Sequence, residues 1–268
     1  MMEIKLQKLQ EWFASKNGVL VAFSGGVDSA LLLKVAKDVL GSKVLAVTAN
    51  SPLNTPEEKE GAVQLAKTLG VEHLVVDLND LENPLVRSNP EDRCYHCKKA
   101  RFEKIIELAQ LKELQAIVEG SNLDDLNDYR PGLKAVKELG ICSPLEEVGL
   151  NKREIRSIAR ELGLPVWDKP SEPCLATRIP FNTELTVDKL NRVYMAEKYI
   201  KETFDLRVVR VRDHDGLARI EVEEGKIGQL ASEHDKISLA FFELGYKFTT
   251  LDLKGYHTGS MNKIGRKE

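Results

Sequence analysis

The sequence predicts an α/β protein with a parallel, twisted sheet covered by helices on both faces, followed by a smaller C-terminal α+β domain. Three observations lead to this prediction. Short apolar runs alternate with helical patterns in the first part of the chain, a glycine-rich loop joins the first run to a helix, and the pattern changes after about Pro180. We therefore expect two domains, residues 1–180 and 181–268.

Five short runs in the first domain have the composition of buried strands, and helical patterns separate them. The predicted strands are residues 19–23, 43–49, 73–77, 116–119 and the shorter run 141–143. The predicted helices are residues 30–40, 56–69, 98–111, 132–139 and 151–162. Ligands of parallel sheets bind at the carboxyl ends of the strands. The polar segments 24–29, 50–54 and 120–128 are therefore expected to converge.

The second domain is predicted from a helix–strand–strand–helix–strand pattern. The predicted helices are residues 187–203 and 226–244, and the predicted strands are residues 207–212, 217–222 and 248–253. Residues 213–216 join the first two strands and contain the Asp-Gly pair that is typical of a hairpin turn. Residues 164–183, rich in proline, are predicted to form a loop.

Composition limits the classes of function. The 268 residues are 42% hydrophobic and 30% charged, with a formal charge of −3. This balance fits a globular protein and argues against a broadly basic nucleic-acid binder. There is no apolar run of about 18 residues, so no membrane span is expected. The N-terminus lacks the apolar core of a signal peptide, and the sequence thus predicts a cytoplasmic protein.

The loop from Ser24 to Ser29 has the features of a phosphate cradle. Gly25 and Gly26 allow backbone amides to approach an anion, Ser24 and Ser29 add hydroxyl donors, and a helix begins at once. An ordinary strand–helix turn is the alternative, but the complete string between a strand and a helix favours phosphate. The loop resembles that of the N-type ATP pyrophosphatase superfamily, which splits ATP between its α and β phosphates.

Acidic residues near this loop are candidates for binding Mg²⁺. Asp28 has a fixed place in the loop, and a second group follows the strand 116–119. That group contains Asn122, Asp124, Asp125 and Asp128. For each of its members, a helix cap on a solvated loop is an equal alternative. We expect ATP and Mg²⁺ as ligands.

The cysteines indicate a second layer of chemistry. Cys94 and Cys97 lie three residues apart at the start of a helix, which suits a metal, an iron–sulfur cluster or a redox dithiol, with two ordinary small residues as the alternative. Cys174 lies in a proline-flanked loop with Arg178, which could stabilise a thiolate or a substrate anion, and is predicted to be catalytic. Cys142 lies in an apolar run and is predicted to be core. The thiols of Cys94, Cys97 and Cys174 could together bind three irons of a cubane iron–sulfur cluster and leave the fourth iron open.

Five segments together resemble the LarE family, the ATP-dependent pyridinium-3,5-biscarboxylic acid mononucleotide sulfurtransferases. They are residues 24–29, 93–98, 119–125, 128–132 and 170–180. The resemblance implies that a substrate carboxylate is adenylated and that sulfur carried at Cys174 displaces AMP to give a thiocarboxylate. It also implies two kinds of member. In one, Cys174 would give up its own sulfur; in the other, a four-iron four-sulfur cluster is bound, and Cys94 and Cys97 favour this kind here.

Arginines in the second domain are candidates for binding the substrate. Arg210 and Arg212 alternate on one face of a predicted strand, where two guanidinium groups suit a phosphate or carboxylate. The family resemblance implies contact with the substrate phosphate. For Arg219, on the partner strand, neutralising pairs on an exposed face are the preferred interpretation. The resemblance further implies a homo-oligomer and a small nucleotide substrate, and the sulfur donor is unknown.

Three other functions compete with sulfur transfer to a small nucleotide. A transfer-RNA thiolase also combines this loop with cluster cysteines, but the charge balance and the lack of a basic domain count against it. An ammonia-dependent amidotransferase of the GMP or NAD synthetase kind would leave the Cys174 loop without a purpose. A nucleotide-binding regulatory module would release no pyrophosphate.

Overall fold

A computed structural model describes residues 2–127, 130–257 and 261 of the chain. They form two compact units: the first consists of Met1–Asp80 with Asp92–Ser171, and the second of Leu81–Glu91 with Glu172–Glu268. The segment Leu81–Glu91 thus belongs with the second unit, although the chain on both sides of it belongs with the first. The boundary after residue 180 stays a prediction, because compact packing does not define independent folding.

The regular elements of both units are numbered in chain order. The helices are α1 (Met2–Ala14), α2 (Val27–Leu40), α3 (Pro56–Thr68), α4 (Pro84–Arg87), α5 (Arg93–Leu111), α6 (Gly132–Glu138), α7 (Pro144–Glu147), α8 (Lys152–Glu161), α9 (Val187–Phe204), α10 (Ile227–Ser232) and α11 (His234–Glu243). The strands are β1 (Val19–Ala22), β2 (Val44–Asn50), β3 (Glu72–Asp77), β4 (Ala116–Val118), β5 (Val209–His214), β6 (Leu217–Val222) and β7 (Phe248–Leu251).

The first unit is built on a parallel sheet in the order β3-β2-β1-β4. Alternate residues of the strands enter two separate cores. Val19 and Val21 pack with α1, α2, α3 and α8 on one face, whereas Leu20 packs with α5 and α6 on the other. Both faces are therefore covered, which confirms the predicted fold class. The strand order reverses between β1 and β4, and such a switch point opens a crevice for a ligand.

The first unit differs from the prediction in several features, one of which is the short helix α7, which was not predicted. The helix α1 was not predicted, because its charged residues obscure a narrow apolar stripe that buries Leu9 and Phe13. The expected strand 141–143 is reduced to one parallel bridge between Cys142 and Val118. The strand does not extend beyond this bridge, because helix α7 begins at Pro144, two residues after Cys142.

The second unit contains the mixed sheet β5-β6-β7, in which β5 and β6 are antiparallel and β6 and β7 parallel. Asp215 and Gly216 both have positive φ, as the predicted hairpin turn requires. The single helix predicted over 226–244 is wrong: α10 ends at Ser232 and α11 begins at His234. Polar residues at this junction favour local turns over a continuous helix. No helix in the described ranges is long and apolar enough to cross a membrane.

Candidate active site

The phosphate loop is organised by hydrogen bonds among its own residues. The Ser29 hydroxyl donates to the Gly26 carbonyl at 3.1 Å, and the Ser24 amide donates to the Ser29 hydroxyl oxygen at 3.3 Å. Gly25 has a φ of +72°, and a Cβ placed there would lie 3.2 Å from the backbone of Ala62. Glycine is thus required both by conformation and by space. No side chain caps the start of α2 at Gly26, and such a helix N-terminus favours an anion.

A cavity of about 330 Å³ lies at the carboxyl ends of β1, β2 and β4. Its lining includes residues from all three predicted segments: Ser24, Asp28, Ser29, Asn50, Asn54, Gly120, Ser121, Asn122 and Asp125. The expected convergence of the strand ends is therefore confirmed. Apolar walls from Phe23, Val47, Phe102 and Ile105 accompany these polar groups. A cavity lined by both polar and apolar side chains suits a nucleotide, because its phosphates need polar partners and its base needs apolar contacts.

Asp28 is the acidic centre of the loop. The Lys152 ammonium at the start of α8 forms an ion pair with its carboxylate, and the Asn122 side-chain amide donates to it at 3.4 Å. Burial raises the pKa of Asp125, while the hydrogen bond from the Asn122 amide and the ion pair with Arg130 at 2.8 Å oppose this rise. The negative charges of Asp28 and Glu119 add to the rise in pKa. A divalent cation would relieve this repulsion. Asp28, Asp125 and Asn122 therefore provide suitable oxygens for Mg²⁺.

The other two predicted acidic ligands of magnesium are Asp124 and Asp128. Asp124 accepts a hydrogen bond from the Lys152 amide at 2.9 Å, so its carboxylate helps to order the start of α8. This contact matches the capping alternative. Asp128 lies outside the described residues.

One face of α5 lines the cavity with cations. Lys98 Nζ lies 3.0 Å from the Glu119 carboxylate, and Arg101 donates to Asp80 and to the Ser51 hydroxyl, the latter at 2.7 Å. Glu119 is buried, and burial alone would raise its pKa; the Lys98 charge and hydrogen bonds from Ser121 and Ser143 outweigh it and lower the pKa.

Four of these residues were not predicted as site residues from the sequence: Lys98, Arg101, Glu119 and Lys152. The spacing of Lys98 and Arg101, three residues apart on a helix, was the one available signal for the pair on α5.

All four cysteines lie in the described part of the chain, and none forms a disulfide. Cys94 is exposed and Cys97 half-buried in the first turn of α5, and a buried Arg93 approaches the Cys94 sulfur at 3.5 Å. Cys142 packs against the core, and burial raises its thiol pKa, as expected for an inert residue. Among the described residues, no three or more His, Cys, Asp or Glu side chains are grouped to hold a metal ion.

The Cys174 loop of the second unit is fastened by Arg178. This guanidinium is buried and pairs with Glu197 of α9 at 2.8 and 3.0 Å. Its remaining nitrogen donates to the carbonyls of Pro173 and Cys174 and to the Thr177 hydroxyl. The half-buried Cys174 is followed by a 3-10 turn, Leu175–Arg178, whose start is bonded by Arg178. Contact of Arg178 with the substrate stays a prediction.

Arg210 and Arg212 share one face of β5, and both are buried. Arg212 donates to Glu221 at 2.6 and 3.0 Å and to the Thr177 carbonyl at 3.2 Å. Burial lowers the pKa of Arg210, and the neighbouring charge of Arg178 acts in the same direction. Such repulsion would be relieved by a bound anion. Arg219 pairs with Glu221 and Asp252, which matches the neutralising pairs expected from the sequence, but the expected exposure of this face is wrong, since Arg219 is half-buried and Glu221 fully buried.

The chain is similar to several known proteins. A family model described as NAD synthase matches residues 4–122. The chain is 43% identical to an uncharacterized protein of Synechocystis sp. over 98% of this chain and 99% of that protein. It is 41% identical to the pyridinium-3,5-bisthiocarboxylic acid mononucleotide synthase of Lactiplantibacillus plantarum, over 91% of this chain and 88% of that enzyme. It is also 28% identical to the ammonia-dependent NAD⁺ synthetase of Aeropyrum pernix, over 85% and 82% of the two chains.

Proposed function

The chain belongs to the family of pyridinium-3,5-bisthiocarboxylic acid mononucleotide synthases, and from this premise we propose that it inserts sulfur into a carboxylate of pyridinium-3,5-biscarboxylic acid mononucleotide at the expense of ATP. Membership of this family makes the chain an ATP-dependent enzyme, as its sequence predicts. The observation that carries the proposal is the cavity that Ser24, Asp28 and Ser29 of the phosphate loop line together with Asp125.

The first half of the proposed reaction forms an acyl-adenylate. The pyrophosphate of ATP would lie on the loop, against the hydroxyls of Ser24 and Ser29 and the first amides of α2. Mg²⁺ held by Asp28 and Asp125 would offset the phosphate charge. A substrate carboxylate oxygen then attacks the α-phosphorus, and the bond to the β-phosphate oxygen breaks. Pyrophosphate leaves, and the carboxylate carbon becomes open to a nucleophile.

The second half transfers sulfur to the activated carbon. Sulfur carried at Cys174 attacks the acyl carbon, and AMP leaves with the carboxylate oxygen. The bond that held the sulfur would then break to free the product: an iron–sulfur bond if a cluster carries the sulfur, or the Cβ–S bond of Cys174, which would leave dehydroalanine. Arg178 contributes by fixing the carbonyls on both sides of Cys174. Arg210 and Arg212 would bind the substrate phosphate, and the support for this role is that the two buried guanidinium groups alternate on one face of β5. The product is the thiocarboxylate.

A four-iron four-sulfur cluster held by Cys94, Cys97 and Cys174 is part of the proposal. Its support is chemical: Cys94 and Cys97 stand three residues apart at the start of α5, a spacing that suits ligation of iron by two thiols. The cluster would supply the transferred sulfur. Anaerobic purification with iron and sulfide should give about four irons per chain. Absence of iron, with loss of one hydrogen sulfide from Cys174 after turnover, would instead make Cys174 the sacrificial sulfur source.

The test of the proposed function is an assay with ATP, Mg²⁺ and the biscarboxylate mononucleotide. Cys174→Ala should release pyrophosphate but form no thiocarboxylate, because activation does not require the thiol. Cys142→Ala, which changes a core thiol, should retain both activities. Thiocarboxylate formation by Cys174→Ala would contradict the assignment. The homo-oligomer and the cytoplasmic location remain predictions; gel filtration and cell fractionation test them.

Ammonia-dependent amide formation is the second candidate, because the matching family model is that of NAD synthase. That match ends at residue 122 and thus covers the ATP-binding half without Cys174. The two functions are separated by offering deamido-NAD⁺ and ammonia. Amide formation that survives Cys174→Ala would favour the synthetase, whereas a thiol-dependent product favours sulfur transfer.

A further inference from the structure

The segment Leu81–Glu91 interrupts the first unit and packs with the second. It contains the short helix α4, and the chain then turns through Asn89 before α5 begins. The backbone of this segment is hydrogen-bonded to residues that follow the Cys174 loop: the Leu185 amide donates to the Arg87 carbonyl, and the Asn182 amide to the Asn89 carbonyl, both at 2.8 Å. The segment Leu81–Glu91, called the strap below, is therefore hydrogen-bonded along the part of the chain that follows the Cys174 loop.

Asn89 of this strap combines complete burial with an unusual backbone conformation. Its side chain is fully buried, and its φ is +56°, a conformation that asparagine tolerates better than most other residues. Its side-chain amide donates to two consecutive backbone carbonyls, Ile179 at 3.3 Å and Pro180 at 2.8 Å. A buried side chain that bonds two adjacent carbonyls fixes the direction of the backbone there.

These two carbonyls directly follow the 3-10 turn Leu175–Arg178, which begins immediately after Cys174. Arg178 holds the start of this turn by bonding the carbonyls of Pro173 and Cys174, and Asn89 holds its end. The turn is thus fastened on both sides. A backbone fixed at two points leaves the intervening residues little freedom to shift.

We propose that Asn89 is a positioning residue for sulfur transfer, which fixes the end of the Cys174 loop without contacting the substrate. This inference rests on the proposed function for its catalytic consequence. Asn89 would have no part in adenylation, because the residues that form the phosphate-binding cavity do not include it. Its loss should therefore separate the two halves of the reaction.

The test uses Asn89→Gly, which keeps the positive φ accessible but removes the amide, and Asn89→Asp, which keeps the side-chain size but removes the donor. The matched control is Asn182→Gly, because Asn182 also has positive φ, at +61°, and is exposed. In both Asn89 variants, thiocarboxylate formation should fall at least about tenfold, since small misplacements of a reacting group are costly. Pyrophosphate release should stay within about twofold of the unchanged protein. Equal losses of both activities, or an equal effect in the control, would overturn the proposal.

A second measurement does not depend on the reaction. The rate at which iodoacetamide alkylates Cys174 is followed by peptide mass spectrometry in the full chain, where Cys142 serves as an internal reference. The Asn89 variants should react several-fold faster at Cys174 and unchanged at Cys142, because the released loop exposes its thiol more often. An unchanged Cys174 rate would overturn the positioning role. Failure of the unchanged protein to make thiocarboxylate would refute the proposed function alone.

Discussion

The phosphate loop and the Cys174 loop are both short polar segments, but they are held in opposite ways. The backbone of the phosphate loop is stabilised from within, since its hydroxyl and amide contacts join residues that are at most five positions apart, although the Asp28 side chain also reaches the distant Lys152 and Asn122. The Cys174 loop is held by partners that are distant in the sequence: Glu197 through Arg178, and Asn89. A locally stabilised loop has a recognisable sequence string, whereas a loop held from outside does not reveal its supports.

The largest expected effect is on the external support of the Cys174 loop. Glu197→Ala would leave the buried Arg178 guanidinium without its carboxylate, which costs about 3–5 kcal/mol of unfolding free energy. The matched control is Glu202→Ala on the same helix. Glu202 forms an exposed ion pair with Lys198, in which the ammonium nitrogen and the carboxylate oxygen are 3.8 Å apart. This control substitution should cost less than about 1 kcal/mol. Chemical denaturation measures both, and equal costs would show that the loop does not depend on the buried pair.

The next effect is on the chemistry of the phosphate loop. Asp28→Asn should lower pyrophosphate release about 10²- to 10³-fold, because the mutation removes the charge that pairs with Lys152 and that is proposed to hold Mg²⁺. Asp38→Asn, which alters an exposed ion pair with Lys34 on the same helix, serves as the control and should change the rate little. Steady-state pyrophosphate assays check this. A rate within tenfold of the unchanged enzyme would remove Asp28 from the magnesium site.

A smaller effect tests whether the phosphate loop really is self-contained. Gly25 and Gly41 both have positive φ, but only Gly25 would bring a Cβ to 3.2 Å from the Ala62 backbone, while nothing lies within 4 Å at Gly41. Gly41→Ala should cost about 1 kcal/mol from backbone strain alone. Gly25→Ala should cost about 1–3 kcal/mol and weaken ATP binding, as measured by thermal denaturation and calorimetry. Equal effects would show that the close approach to α3 is unimportant.

The smallest effect compares one buried carboxylate in each unit under acid. Burial tends to raise the pKa of Glu119 and of Glu197, but Lys98 and Arg178 respectively outweigh it, so both values are lowered. Each carboxylate thus contributes stability that is present above its ordinary pKa and is lost as the pH falls through the lowered value. Glu119→Gln and Glu197→Gln should each reduce the loss of stability below about pH 4.5, as followed by acid titration of the unfolding free energy. If a variant loses unfolding free energy below about pH 4.5 as steeply as the unchanged protein, the carboxylate replaced in it does not contribute to acid unfolding.

The candidate site could be predicted in proportion to how local its contacts are. The loop residues Ser24, Asp28 and Ser29 were identified from their string, and the structure places them in one cavity. Lys152 was missed, because its ion pair with Asp28 joins residues that are 124 positions apart. Arg178 was identified as functional, but its pairing with Glu197 could not be foreseen, since a buried ion pair has no signature in a single sequence.

The fold shows the same division. The apolar runs and helical patterns determined the parallel sheet, its two covered faces and the hairpin at Asp215 and Gly216, because periodicity and turn chemistry act over a few residues. The assignment of Leu81–Glu91 to the second unit was decided only by the tertiary structure. Asn89 bonds carbonyls about ninety positions away, and such a contact depends on how the chain is packed, not on the residues beside it.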